Sequence, residues 1–95
     1  MLESVKKIEI IVSDPEVPSV LKILKKHGIE RYTIIHNVSG CGEHGSYGDD
    51  LITNSYIMII CPNPEIIEPL SNAIQPLLNK LGGIFIVNDA QWIAH

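Results

Sequence analysis

The sequence predicts an α+β fold of the ferredoxin-like, split βαββαβ kind: a four-stranded antiparallel sheet with two helices on one face. Two observations carry this expectation. Four Ile/Val-rich runs alternate with two segments of helical apolar spacing in the order strand, helix, strand, strand, helix, strand. Proline and glycine also fall at the junctions, where helices start and stop. At 95 residues the chain fits a single domain over 1–95, small enough for oligomerisation to be a natural supplement to its core.

Val5 to Val12 reads as the first strand, with Ile8, Ile10 and Val12 on one face and Glu9 and Ile11 on the other. Ser13-Asp14-Pro15 turns the chain into a helix reaching about His27. Val17, Val20, Leu21 and Leu24 form its apolar face, Lys22, Lys25 and Lys26 its polar one, and Gly28 stops it. His27 is placed to cap the helix C-terminus. Ile29 to Val38 reads as the second strand and Thr53 to Cys61 as the third. Asn63-Pro64-Glu65 combines a capping side chain, an early proline and a first-turn acid, and so starts the second helix. That helix should bury Ile66, Ile67, Leu70, Ala73, Ile74, Leu77, Leu78 and Leu81. Pro69 and Pro76 each remove a backbone donor, which predicts a kink or break. Gly82-Gly83 ends the helix, Ile84 to Val87 forms the last strand, and Ala90 to His95 is a short tail in which Trp92 packs on the sheet or a neighbour.

Composition narrows the function classes. Seven basic against eleven acidic residues leave a net charge of −4, which argues against nucleic acid as a partner. Strands carrying mostly aliphatics also lack the exposed aromatics of an RNA-binding sheet. No apolar run approaches the roughly 18 residues of a membrane span, and Met1 to Lys7 has no apolar signal region. Cys41 and Cys61, the two cysteines, suggest no disulfide framework. A cytoplasmic protein without membrane insertion is the expectation. Cys61 reads as an inert core thiol. An enzyme is not expected. An acylphosphatase-type cradle needs an arginine after the first strand, where Ser13-Asp14-Pro15 stands, and no carboxylate pair has acid–base spacing.

Ser39 to Asp50 holds four glycines in twelve residues and joins two apolar strands that need only a short turn. It also holds Cys41, His44 and Tyr47. Such a length predicts a functional switch that is mobile until a ligand orders it. Gly40-x-Gly42-x-x-Gly45 follows a strand but opens no helix, so it is not a dinucleotide fingerprint. His36, Cys41 and His44 fall within nine residues, a spacing that could hold zinc or copper. A flexible glycine-rich turn region without a ligand is the simpler alternative for the same segment.

Three stretches resemble the P-II signalling family. Ile59-Ile60-Cys61-Pro62-Asn63-Pro64 is similar to its third strand running into a helix start. Gly83-Ile84-Phe85-Ile86-Val87-Asn88-Asp89-Ala90 is similar to its last core strand. Gly28-Ile29-Glu30-Arg31-Tyr32-Thr33-Ile34 is similar to its first helix end and following strand. The nearest branch is the P-II-like regulators of cyanobacterial bicarbonate transport. The resemblance implies a homotrimer that needs no cofactor, binds AMP, cyclic AMP, ADP or ATP between subunits, and regulates a partner such as a membrane transporter. Carried over, Thr33 lies at the cleft wall, Ser39, Gly40, Gly42 and Gly45 form the loop base, and Gly82 and Gly83 come from the adjacent subunit.

The sequence departs from the family in several places. The loop is short, and no modification pattern surrounds Tyr47. No basic residue directly precedes the last strand, and no arginine follows Arg31. The C-terminal cysteine pair of some bicarbonate regulators is missing, and the glycines come about one residue later after Thr33. Glu43, Asp49 and Asp50 make the loop acidic, which favours AMP or cyclic AMP over ATP. The alternatives are a metal-binding domain of the same fold using His36, Cys41 and His44, or a protein-interaction module without a small ligand.

Overall fold

The computed structural model describes residues 1–39, 41–42, 45–46 and 53–95. Its elements are β1 (Leu2–Ser13), α1 (Val17–Lys26), β2 (Thr33–Val38), β3 (Cys41–Gly42), β4 (Gly45–Ser46), β5 (Asn54–Cys61), α2 (Ile67–Leu81) and β6 (Ile84–Ile93). A 3-10 turn precedes each helix, at Asp14–Glu16 and Pro64–Ile66. The antiparallel sheet has the order β2-β5-β1-β6, and β3 pairs with β4 in a small ribbon of its own. This is the ferredoxin-like α+β arrangement the strand and helix order predicts.

The alternation in β1 and β5 decides the packing. Ile8, Ile10, Ile57 and Ile59 point to one face and are essentially inaccessible to solvent. They meet Val20 and Leu24 of α1 and Leu70 and Ile74 of α2 in one core. Gly28, at φ 81°, closes α1: its N–H reaches Lys25 O (3.0 Å) and the N–H of Ile29 reaches Leu24 O (2.9 Å). Both bonds satisfy carbonyls that the helix end would leave unpaired. The His27 ring also lies 2.8 Å from Ile23 O, the capping role its position predicts. Asn63 accepts from the N–H of Glu65 (3.1 Å), the expected start of the second helical segment.

The structure corrects four expectations. Helix α2 is not broken: it runs through Pro69 and Pro76. Pro69 falls in the first turn, where donors have no helical partner. Pro76 is exposed, as is Asn72, whose carbonyl would have been its acceptor, so water can serve that oxygen. Leu81 is not buried but exposed, because it lies past the last turn in contact with the sheet. The second strand begins at Thr33, since Ile29 packs into the core directly after the helix end. Finally, 90–95 is no tail: β6 continues to Ile93, where it faces Leu2 of an equally extended β1. Asn88 and Asp89 are poor strand formers, but Asp89 pairs with Lys6 across the ladder and Trp92 Nε1 donates to Glu3 (3.2 Å).

Candidate functional site

The stems of the 39–52 segment are β2 and β5. Register shifts between His36 and Val38, where Asn37 adopts φ 63° as a bulge. The bulge takes up one extra residue in β2. Buried Asn54 braces it, donating from Nδ2 to Val38 O (3.3 Å).

Next to the bulge, three elements converge on one carboxylate. Asp14, in the turn after β1, accepts hydrogen bonds from the hydroxyls of Ser55 and Thr53. Its backbone N–H donates to Thr53 O (2.8 Å). These bonds, Ser55 first and Thr53 second, hold the Asp14 carboxyl below its ordinary value, with a smaller contribution from the charge of His36. Ser55 is fully buried, and its Oγ lies 2.9 Å from Nδ1 of His36, whose residue is exposed. A carboxylate only accepts, so the Ser55 hydroxyl donates to Asp14 and its oxygen accepts from Nδ1–H of His36. Nε2 of His36 is then the ring nitrogen without a partner among the described residues. The spacing of residues 14, 36 and 55 gave no sign of this chain of bonds; only strand register brings them together.

Thr33 is exposed on the other face of β2, and Ser39 is exposed just beyond its end. The backbones of Cys41, Gly42, Gly45 and Ser46 form the β3–β4 ribbon, while Gly40, His44 and Tyr47 lie outside the described residues. Gly82 and Gly83, at φ 80° and 115°, sit at the far edge of the sheet. His36 pairs with Ser55, Ser55 with Val12, and Ile84 with Ile11, so His36 and Gly83 stand at the same level on opposite edges. Three strand steps of about 4.8 Å put them roughly 14 Å apart. One chain therefore does not bring together the residues the resemblance assigns to one nucleotide.

The metal alternative finds no completed ligand set among the described residues. Cys61 is buried, and burial pushes its thiol upward, away from reactivity. Among the described residues no helix is long and apolar enough to cross a membrane.

The family model for nitrogen regulatory protein P-II matches residues 5–94. This chain belongs to the P-II family. Among curated proteins no sequence matches it. Among solved structures it is similar to CPII of Thiomonas intermedia, a nitrogen regulatory PII-like protein bound to ADP, AMP and bicarbonate. That match has 30% identity and a TM-score of 0.87, covering 100% of this chain and 99% of the other. A PII-like signalling protein of Thermus thermophilus shares the fold at 18% identity and TM-score 0.76, over 97% of this chain and 91% of that one. The GlnK–ATP complex of B. subtilis is a more distant likeness, with 19% identity and TM-score 0.65, over 92% and 82%. The P-II family is a regulatory one, and its proteins act by signalling.

Proposed function

We propose that this single-domain chain is a cytoplasmic, non-enzymatic regulator that binds an adenine nucleotide between copies of itself. Through the segment at 39–50 it controls a partner such as a membrane transporter. The observation that carries the reading is the placement of Thr33 and Ser39 on one sheet edge and of Gly82 and Gly83 on the other, with His36, between Thr33 and Ser39, at the level of Gly83. A ring of copies joins the β2 edge of one to the β6 edge of the next without changing level, and a closed ring leaves no end. The open sheet face supports a homotrimer facing inward. It is apolar across all four strands through Ile35, Tyr56, Ile11 and Ile84, and no helix among the described residues covers it. Glycine at 82 and 83 lets backbone N–H groups approach a phosphate from one copy. Gly40, Gly42 and Gly45 would do so from the other. The relative CPII, bound to ADP, AMP and bicarbonate, favours AMP or ADP as effector, with bicarbonate as a second ligand.

Calorimetry with AMP, ADP, ATP, cyclic AMP and zinc, alongside light scattering, tests this. Gly42→Val should weaken nucleotide binding at least tenfold, because a Cβ blocks close backbone approach. Cys41→Ser should leave it nearly unchanged. The reverse order, with zinc bound through His36, Cys41 and His44, would establish the metal alternative. A monomer at micromolar concentration would refute the shared cleft.

A further inference from the structure

None of the seven residues assigned above to the nucleotide is basic, so the site as it stands lacks a partner for negative charge. His36 lies between Thr33 and Ser39 along the edge strand, on the face opposite Thr33. Its ring is held by a built chain of bonds: Nδ1 to Ser55 Oγ at 2.9 Å, and Ser55 to Asp14, which Thr53 also secures. Ser55 is fully buried, so it cannot trade these partners for water. The bulge at Asn37 fixes the backbone immediately after the ring. The result is an exposed imidazole with one nitrogen committed inward and the other without a partner among the described residues.

Resting on the nucleotide reading above, we propose that His36 is the oxyanion-binding residue of this site, with Ser55 and Asp14 as its positioning residues. Nε2 of His36 takes an oxygen of a nucleotide phosphate or of bicarbonate. With Nδ1 donating to Ser55, Nε2 can donate to the oxyanion only when it too carries a proton, so the charged ring is the form that binds and binding draws in a proton wherever the ring is neutral. The charged group that faces the ring among the described residues is Asp14, from the turn after β1 and through Ser55 of β5; it balances the cation so formed. A histidine contact makes affinity fall as pH rises, where an arginine or lysine would not.

The test is calorimetry of the full chain at about pH 6.5 and about pH 8, in two buffers of different ionisation enthalpy. AMP and bicarbonate are titrated separately and together. The wild type is expected to take up protons on binding and to bind more weakly at the higher pH. His36→Gln should lose about tenfold in affinity and all the linked proton uptake. Ser55→Ala and Asp14→Asn should reduce the uptake while Thr53→Val, which leaves Ser55 in place, changes it less. Loss confined to the AMP titration identifies the phosphate as the oxyanion, and loss confined to bicarbonate identifies the carbonate group. Equal affinity and proton uptake in wild type and His36→Gln would overturn this inference and leave the nucleotide reading standing. A wild type that binds neither AMP nor bicarbonate would overturn both.

Discussion

The two faces of the sheet are built from the same strands and have opposite fates. On one, Ile8, Ile10, Ile57 and Ile59 disappear beneath α1 and α2. On the other, Ile35 remains 54% exposed and Ile86 45% exposed, with no helix among the described residues above them. At the middle of the open face is a small polar group rather than another aliphatic. Glu9 accepts from Tyr56 (2.7 Å) and from Asn88 (3.2 Å), and Lys7 lies 3.9 Å away. One face is complete within the chain. The other is prepared for burial, with the carboxylates of Glu9 and Glu3 already hydrogen-bonded inside the chain, so that covering it need not strand a charge.

The largest difference should appear between matched truncations on the two faces. Ile10→Ala opens a cavity beneath the helices and should cost roughly 2–5 kcal/mol in urea unfolding. Ile86→Ala should cost far less in the dissociated chain and instead weaken association in light scattering. Equal losses at both positions, without any change in association, would mean that the faces do not differ as described.

Gly83 sharpens the comparison at the junction of helix and sheet. A Cβ there would come within 2.5 Å of the Ile11 carbonyl oxygen and crowd Leu78 and Val12, at a φ of 115°. Gly83→Ala should cost roughly 1–3 kcal/mol, read as a lower melting temperature. Gly28, with φ 81° but open space around it, should show only the backbone part of that penalty when changed to Ala.

The smallest effect belongs to Tyr56. Its hydrogen bond to Glu9, then burial and the Glu9 charge, raise its phenol above the ordinary value. A raised value means the folded state holds the proton more tightly. The stability it contributes is present below the ordinary phenol range and is lost as pH rises through the raised value. Tyr56→Phe should change neutral-pH stability by at most about 1.5 kcal/mol. It should also flatten the alkaline limb of the unfolding profile. An unchanged alkaline limb would show that the Glu9 bond has no hold on the phenol.

The strand and helix order, the apolar faces and the helix stop at Gly28 were legible in the sequence because each depends on residues a few positions apart. The start signal at Asn63-Pro64-Glu65 was equally local, and so was the resemblance to the P-II family. What escaped were features made by partners far along the chain. Asn88, Asp89 and Gln91 have little preference for a strand. They extend β6 because β1 runs beside them to Leu2, with Lys6 opposite Asp89 and Glu3 opposite Trp92. The passage of α2 through Pro76 was likewise decided by packing: Leu70 and Ile74 are fully buried and hold the helix to the sheet.

The candidate site divides in the same way. Sequence alone determined which residue types were available: glycines at 82 and 83, a glycine-rich segment after Thr33, no arginine after Arg31, and a histidine at 36 whose nearest ligand-type neighbours along the chain were Cys41 and His44. Only the tertiary structure decided that His36 is anchored through Ser55 to Asp14, and that Gly82 and Gly83 lie at the sheet edge opposite the strand that carries Thr33 and His36. The physical reason is strand register. Hydrogen bonding between backbones places residues side by side that are 19 and 41 positions apart, such as His36 with Ser55 and Ser55 with Asp14. No spacing along the chain encodes that neighbourhood.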